Sequence, residues 1–173
     1  MDFVNCTYES HSIAILEILN EVILNSTALY DYEPRKIENM ASWFSNKEKN
    51  NFPIIGLVDT NGQLMGFASY DTFRSWPAYK YSVEHSVYIR SDHRGKGIGK
   101  KLLESLIDIA KQQQYHTMIA GLDISNVGSR VLHEKLGFVH AGTINEAAFK
   151  FGRWLDLGFY QLILNTPLNP KDG

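Results

Sequence analysis

Residues 94–101 read Arg-Gly-Lys-Gly-Ile-Gly-Lys-Lys, and no other stretch of the chain advertises its chemistry so plainly. Alternating glycines let a backbone turn tightly and approach a ligand closely. Ile98, Leu102, Leu103, Leu106, Ile107 and Ala110 fall at helical spacing, which predicts a helix beginning inside this segment. Free backbone N–H groups at such a start point outward. Arg94, Lys96, Lys100 and Lys101 crowd its positive end, where cations are unfavourable. A bound anion turns that penalty into attraction, and a pyrophosphate fits in size and charge. The alternative is a solvated surface turn. The spacing G-x-x-x-x-G-K-[ST] does not occur, and Lys100 leaves G-x-G-x-x-G incomplete. A kinase, a GTPase and a Rossmann dehydrogenase are thereby disfavoured.

A second stretch, Phe73 to Tyr81, places Phe73, Trp76, Tyr79 and Tyr81 beside Arg74. Arg74 can clamp a carboxylate bidentately, while Trp76 and Tyr79 wall a small pocket. Tyr30, after Asn25-Ser26-Thr27, can add a further wall. The same aromatics would equally serve packing on the core or on a second subunit. Asn126, Ser129, Arg130 and His133 are spaced to share one helical face. The histidines form no H-x-x-x-H or H-E-x-x-H, and Cys6 is the only cysteine. No metal site, intramolecular disulfide or cysteine-based zinc site is therefore expected.

These residues need a frame. Phe3 to Thr7 reads as a short strand, and Ile13 to Ile23 as a helix. Glu33-Pro34 fits a second helix start, with Pro34 in the first turn. Phe52 to Val58 and Leu64 to Tyr70 read as a hairpin around Asn61-Gly62. Val83 to Arg90 is a strand leading into the glycine-rich loop. Alternation puts Glu84, Ser86 and Tyr88 on one face of it, and His85, Val87 and Ile89 on the other. Glu84 and His85 are thus not expected to serve one site. Thr117 to Leu122 is another strand, and Asn126 to Leu136 a helix closed by Gly137. Val139 to Thr143 and Trp154 to Leu164 complete the strands. The order predicts a single α/β or α+β domain, residues 1–165, with a flexible tail over 166–173.

The chain has 173 residues, 44 % hydrophobic and 21 % charged, which suits one globular domain. Lys plus Arg is 17 against 19 for Asp plus Glu, a net charge of -2, so a dedicated nucleic-acid binder is disfavoured. Met-Asp-Phe-Val-Asn lacks the pattern of a secretory signal, and no apolar run spans a bilayer. A cytoplasmic protein without membrane or nucleic-acid partners is expected.

Arg94-x-x-Gly97-x-Gly99 resembles the acyl-CoA pyrophosphate signature of the GNAT superfamily of N-acetyltransferases. Asn126 with Leu132-His133-Glu134-Lys135-Leu136-Gly137-Phe138 resembles its second cofactor helix and L-G-F ending. Val83 to Ile89 and Lys150-Phe151-Gly152-Arg153-Trp154-Leu155-Asp156 resemble a narrower group, the phosphinothricin and methionine sulfoximine acetyltransferases. The resemblance implies a mixed, mostly antiparallel twisted sheet of about seven strands flanked by helices. It implies direct transfer of an acetyl group from acetyl-CoA, as co-substrate, to the amine of a small amino-acid-like acceptor in a ternary complex.

In that scheme Glu84 is the general base, acting directly or through water. His133 stands where many members have tyrosine and is the general acid or an alternative proton acceptor. The backbones of Val87, Tyr88 and Ile89, the loop Arg94, Gly95, Lys96, Gly97, Ile98, Gly99 and Lys100, and the side chains of Asn126 and Ser129 hold the cofactor. Tyr30, Phe73, Arg74, Tyr79, Glu84 and Lys150 face the acceptor, Lys150 from a loop that closes over it. Ala147-Ala148-Phe149 departs from the small and amide residues that relatives often carry. A homodimer is implied as well. The competing readings are a protein N-terminal or polyamine acetyltransferase, and a non-catalytic acetyl-CoA sensor.

Overall fold

The computed structural model describes residues 1–172; Gly173 lies outside them. The elements are β1 (Asp2–Asn5), α1 (Tyr8–Asn25), α2 (Ile37–Lys49), β2 (Ile54–Val58), β3 (Leu64–Thr72), β4 (Ser82–Ile89), α3 (Ile98–Gln112), β5 (Thr117–Asp123), α4 (Val127–Lys135), β6 (Val139–Lys150) and β7 (Arg153–Ile163). The strands form one seven-stranded sheet in the order β1-β2-β3-β4-β5-β7-β6. The β4–β5 pair is parallel, while β1–β2, β2–β3, β5–β7 and β6–β7 are antiparallel. This is the mixed, mostly antiparallel sheet that the resemblance implies.

The chain divides into two compact units, residues 1–70 with 86–106, and residues 71–85 with the chain from 107 onward. In the first, α1 and α2 bury Ile15, Ile18, Leu19, Met40 and Phe44 with Ile54, Leu64 and Phe67 of β2 and β3. Trp43 meets Phe44 and Phe67 edge-on, at 5.0 and 6.2 Å. In the second, Met118, Ala120 and Leu122 of β5 are buried, as are Phe138, Leu155 and Tyr160.

Three boundaries differ from the sequence reading, each for a local reason. Helix α1 starts at Tyr8 because Thr7 Oγ1 accepts from the Ser10 N–H, so a polar cap rather than the first apolar residue sets the end. Helix α2 starts at Ile37, which leaves Pro34 outside it. The Asn20 side chain of α1 accepts from the Arg35 N–H at 2.7 Å and donates to the Arg35 carbonyl at 2.9 Å. The Lys36 N–H donates to Asn39 Oδ1 at 2.8 Å and caps the helix there. Strand β6 runs to Lys150 rather than Thr143. Its register shifts between Ile144 and Ala148, where Glu146 has φ 52° and its N–H donates to Asp156 Oδ1. Phe151 and Gly152, at φ 51° and 72°, make the two-residue turn into β7. Lys150 is therefore the last residue of a strand, 4 % exposed, and not a loop residue.

The segment after β7 is hydrogen-bonded where it begins and near its end. Thr166 Oγ1 donates to the Tyr115 carbonyl, and His116 Nδ1 lies 2.8 Å from the Thr166 carbonyl. The Lys171 N–H donates to the Tyr81 hydroxyl at 3.1 Å.

Candidate active site

Strand β4 delivers the chain into the glycine-rich loop. At its far end the Arg90 N–H donates to the Met65 carbonyl at 2.9 Å. The Tyr88 ring lies 5.6 Å from Phe67. Gly66 makes that approach possible, since a Cβ there would stand 2.8 Å from the Tyr88 carbonyl oxygen. Beyond a short 3₁₀ turn, Gly95 and Gly97 take φ 75° and 77°, the left-handed region that favours glycine. A Cβ at either would meet nothing within 4 Å, so their backbone faces open space. Ile98 is buried as the first residue of α3, whereas Arg94, Lys96 and Lys100 are exposed. An open left-handed turn at a helix start, ringed by cations, suits an anion such as a pyrophosphate.

The loop is also tied down. Arg94 forms an ion pair with Glu21 of α1 at 2.5 Å, and its Nε donates to the Ile89 carbonyl at 3.2 Å. Lys96 Nζ donates to the Asp92 carbonyl at 2.8 Å. Glu21 and Arg94 are 73 residues apart, so no local sequence pattern links them. Tyr30 lies in this same first unit, partly exposed.

The second unit holds Glu84. The β4–β5 register pairs Ser82 with Thr117, Val83 with Met118 and Glu84 with Ile119. Val83 and His85 are buried and Glu84 half-buried, as the alternation predicts. Burial pushes the Glu84 carboxyl above its ordinary value; Arg74 opposes the shift and Asp71 adds to it. Gly121 of β5 makes the seat for this carboxylate, because a Cβ there would stand 2.9 Å from Glu84 Oε1. Gly121→Ala should therefore displace a flexible carboxylate end while the strand survives. We expect kcat to fall roughly tenfold or more, with little change in thermal unfolding. Steady-state kinetics beside a melting curve checks this, and an unchanged kcat would refute the seating.

Arg74 and the aromatics gather in the same unit. The Arg74 guanidinium lies 4.9 Å over the Phe73 ring. Phe73 meets Tyr79 and Phe159 edge-on, at 5.8 and 6.4 Å. Thr72 to Trp76 line a cleft of about 500 Å³, and Trp76 is 68 % exposed. The Lys150 ammonium lies 5.0 Å over the Phe151 ring.

Helix α4 is capped by Asn126, whose Oδ1 accepts from the Ser129 N–H at 3.1 Å. His133, one further turn along, is buried. Its Nδ1 lies 2.6 Å from the Ser129 carbonyl oxygen, and its Nε2 lies 3.1 Å from His85 Nε2. Both rings rest against Phe138. Burial holds both imidazoles below the usual histidine range; His133 adds to the effect on His85, and the Ser129 carbonyl partly opposes it on His133. The His85–His133 contact spans 48 residues and had no local signal. Among the described residues no group of three or more histidine, cysteine or acidic side chains is placed to hold a metal ion, and no helix is long and apolar enough to cross a membrane.

The fold and the open glycine loop define an acyl-CoA-dependent transferase. The chain belongs to the acetyltransferase (GNAT) family, whose family model it matches over residues 17–138, and enzymes of this family use acetyl-CoA. Among curated relatives, an L-methionine sulfoximine/L-methionine sulfone acetyltransferase of Pseudomonas aeruginosa is 41 % identical over 151 residues, which cover 87 % of this chain and 88 % of that one. The L-amino acid N-acyltransferase MnaT of Escherichia coli K12 is 40 % identical, over 91 % of each chain. Among solved structures, a phosphinothricin acetyltransferase of Sinorhizobium meliloti in complex with acetyl-CoA is 34 % identical, with a TM-score of 0.93 over 99 % of this chain and 92 % of that one.

Proposed function

We propose that this protein moves an acetyl group from acetyl-CoA to the amine of a small amino-acid-like acceptor of methionine sulfoximine, methionine sulfone or phosphinothricin type. The observation that carries this reading is the half-buried Glu84 carboxyl, raised above its ordinary value by burial and within the electrostatic reach of Arg74 in one compact unit. A carboxyl so placed can take a proton from an ammonium group, directly or through water. Arg74 is the partner for the acceptor's carboxylate, and Phe73, Tyr79 and Lys150 of the same unit are its proposed walls.

Acetyl-CoA supplies an activated thioester. The loop from Arg94 to Lys100 is proposed to hold its pyrophosphate on backbone N–H groups, with Asn126 and Ser129 as further contacts. The backbone of Val87, Tyr88 and Ile89 carries donors and acceptors for the acetyl carbonyl and the pantetheine arm. His133 is the proposed proton donor to the leaving sulfur; with its Nδ1 held against the Ser129 carbonyl, only Nε2 can serve the sulfur, and that atom must first leave His85 and carry a proton. A cytoplasmic homodimer is the setting that the resemblance supports.

Thiol release from acetyl-CoA tests the reading against a panel of amines. The panel holds methionine sulfoximine, methionine sulfone, phosphinothricin, ordinary amino acids, a polyamine and a short peptide. Turnover concentrated on the first three is expected. Arg74→Ala should then raise KM for these acceptors roughly tenfold and leave KM for acetyl-CoA near its starting value. Turnover confined to peptide or polyamine would discard the pocket. Tight acetyl-CoA binding with no turnover on any amine would replace the enzyme reading with a sensor.

A further inference from the structure

Strand β7 outruns its neighbour. Its pairing with β5 ends at Leu157 with Asp123, so Arg153 to Asp156 continue past the end of β5, where the chain turns into α4. That turn is built on a buried carboxylate. Asp123 is 2 % exposed, and its Oδ1 accepts from the Ser125 N–H at 3.0 Å and from the Ser125 hydroxyl at 2.8 Å. Its carbonyl accepts from the Asn126 N–H at 2.9 Å, and Asn126 caps α4. Arg153 reaches back to the same turn. Its Nη2 donates to Asp123 Oδ2 at 3.0 Å and to Ser125 Oγ at 3.2 Å. The backbone adds a second tie, because the Ile124 N–H donates to the Asp156 carbonyl at 3.0 Å.

We propose that Arg153 and Asp123 are positioning residues for acetyl-CoA, which fix the start of α4 and so place Asn126 and Ser129. The charge at residue 123 is the informative feature. The turn alone needs only an acceptor there, which asparagine supplies without burying a charge. A buried carboxylate is costly unless it is paired and hydrogen-bonded. What the charge adds is a strong, directed bond to the guanidinium. Helix α4 has nine residues, too few to be stable by itself, so its start depends on outside ties. This proposal rests on the assignment of Asn126 and Ser129 to acetyl-CoA above.

Calorimetric binding of acetyl-CoA to the intact protein, without acceptor, supplies the first readout. Arg153→Ala should weaken binding roughly tenfold, the worth of one hydrogen bond to the cofactor, and should move KM for methionine sulfoximine less. Arg153→Lys, which keeps the charge, should recover part of the loss. Asp123→Asn keeps the acceptor for Ser125 but turns an amide toward the guanidinium, and should weaken binding by a similar factor. In that background Arg153→Ala should cost little further, and fully additive losses would overturn the proposal. So would weakened binding in Arg153→Ala beside wild-type binding in Asp123→Asn, the pattern of a guanidinium that touches the cofactor itself. Backbone hydrogen exchange is the second readout. The Asn126 and Ser129 amides should exchange faster in Arg153→Ala, and unchanged exchange would sink the proposal. Asn126→Ala is the control on the assignment. Unchanged binding there refutes the assignment, and exchange then decides whether the pair orders α4. Weakened binding there, with wild-type binding in Arg153→Ala, refutes the positioning role. Arg153→Ala leaves a buried charge unpaired; if it does not fold, Asp123→Asn and Arg153→Lys decide.

Discussion

Glu84→Gln should lower kcat by roughly 10²-fold or more, the usual worth of a positioned proton acceptor. The amide keeps the shape of the side chain and loses the basic oxygen. The pH profile of the wild-type enzyme should carry the same signature. Burial raises the Glu84 pKa, with Arg74 holding part of the shift back. The carboxylate is therefore lost as pH falls through a value above the ordinary glutamate range, and kcat/KM should decline on that acid limb. The limb should be absent from the residual activity of the amide variant.

Stability should move the other way. In the window between the unfolded and the raised folded pKa, the unfolded chain is ionised while the folded chain keeps its proton. The folded state then binds more protons, so stability falls as pH rises through the window and stays reduced above it. Glu84→Gln removes that penalty, and the variant should melt at a higher temperature than the wild type at neutral pH. Equal activity would remove Glu84 from the chemistry. Equal melting temperatures with lost activity would mean that the desolvation cost is offset by Arg74 in the native state.

Such opposed effects on turnover and stability mark residues that a fold carries for function. They also indicate which parts of this molecule were legible in the sequence. Helix α3 was, because Ile98, Leu102, Leu103 and Leu106 repeat at helical spacing and all are buried. So was the alternation of β4, because a strand buried on one face writes a period of two into its residues. What escaped was written over long separations or in side-chain hydrogen bonds. Pro34 invites a helix start, but the paired bonds from Asn20 hold Arg35 extended, and no window around Pro34 contains Asn20. The second half of β6 escaped because Glu146 breaks the register with a left-handed turn of the backbone. His85 was set aside by alternation, which separates it from Glu84 correctly but says nothing about a partner on α4. The family motif singled out the loop from Arg94 to Lys100. It carried no word of Glu21.

The ion pair between Glu21 and Arg94 sets up the second large effect. Arg94→Ala should raise KM for acetyl-CoA by ~10- to 100-fold, as expected when charged hydrogen bonds of about 1.5–3 kcal/mol are removed, while KM for the acceptor changes little. Two physical causes predict that same number, and Glu21→Ala separates them by sign. If Arg94 works by bridging α1 to the Ile89 carbonyl and so ordering the loop, removing Glu21 loosens it, and KM for acetyl-CoA rises. If Arg94 instead pairs with the pyrophosphate, Glu21 competes with the cofactor for the guanidinium, and its removal lowers KM. The geometry favours the first. Arg94 already spans the Ile89 carbonyl and the Glu21 carboxylate, whereas Lys96 reaches the Asp92 carbonyl and Lys100 lies 3.6 Å from Glu104 across one exposed helical turn, beside the open backbone of Gly95 and Gly97. We therefore expect Glu21→Ala to raise KM for acetyl-CoA, by less than Arg94→Ala does, and the double variant to fall short of the sum. Measuring KM at two ionic strengths completes the case. If Lys96 and Lys100 hold the phosphates, KM should depend on salt in every variant, and a salt dependence that vanishes in Arg94→Ala would return the guanidinium to the pyrophosphate.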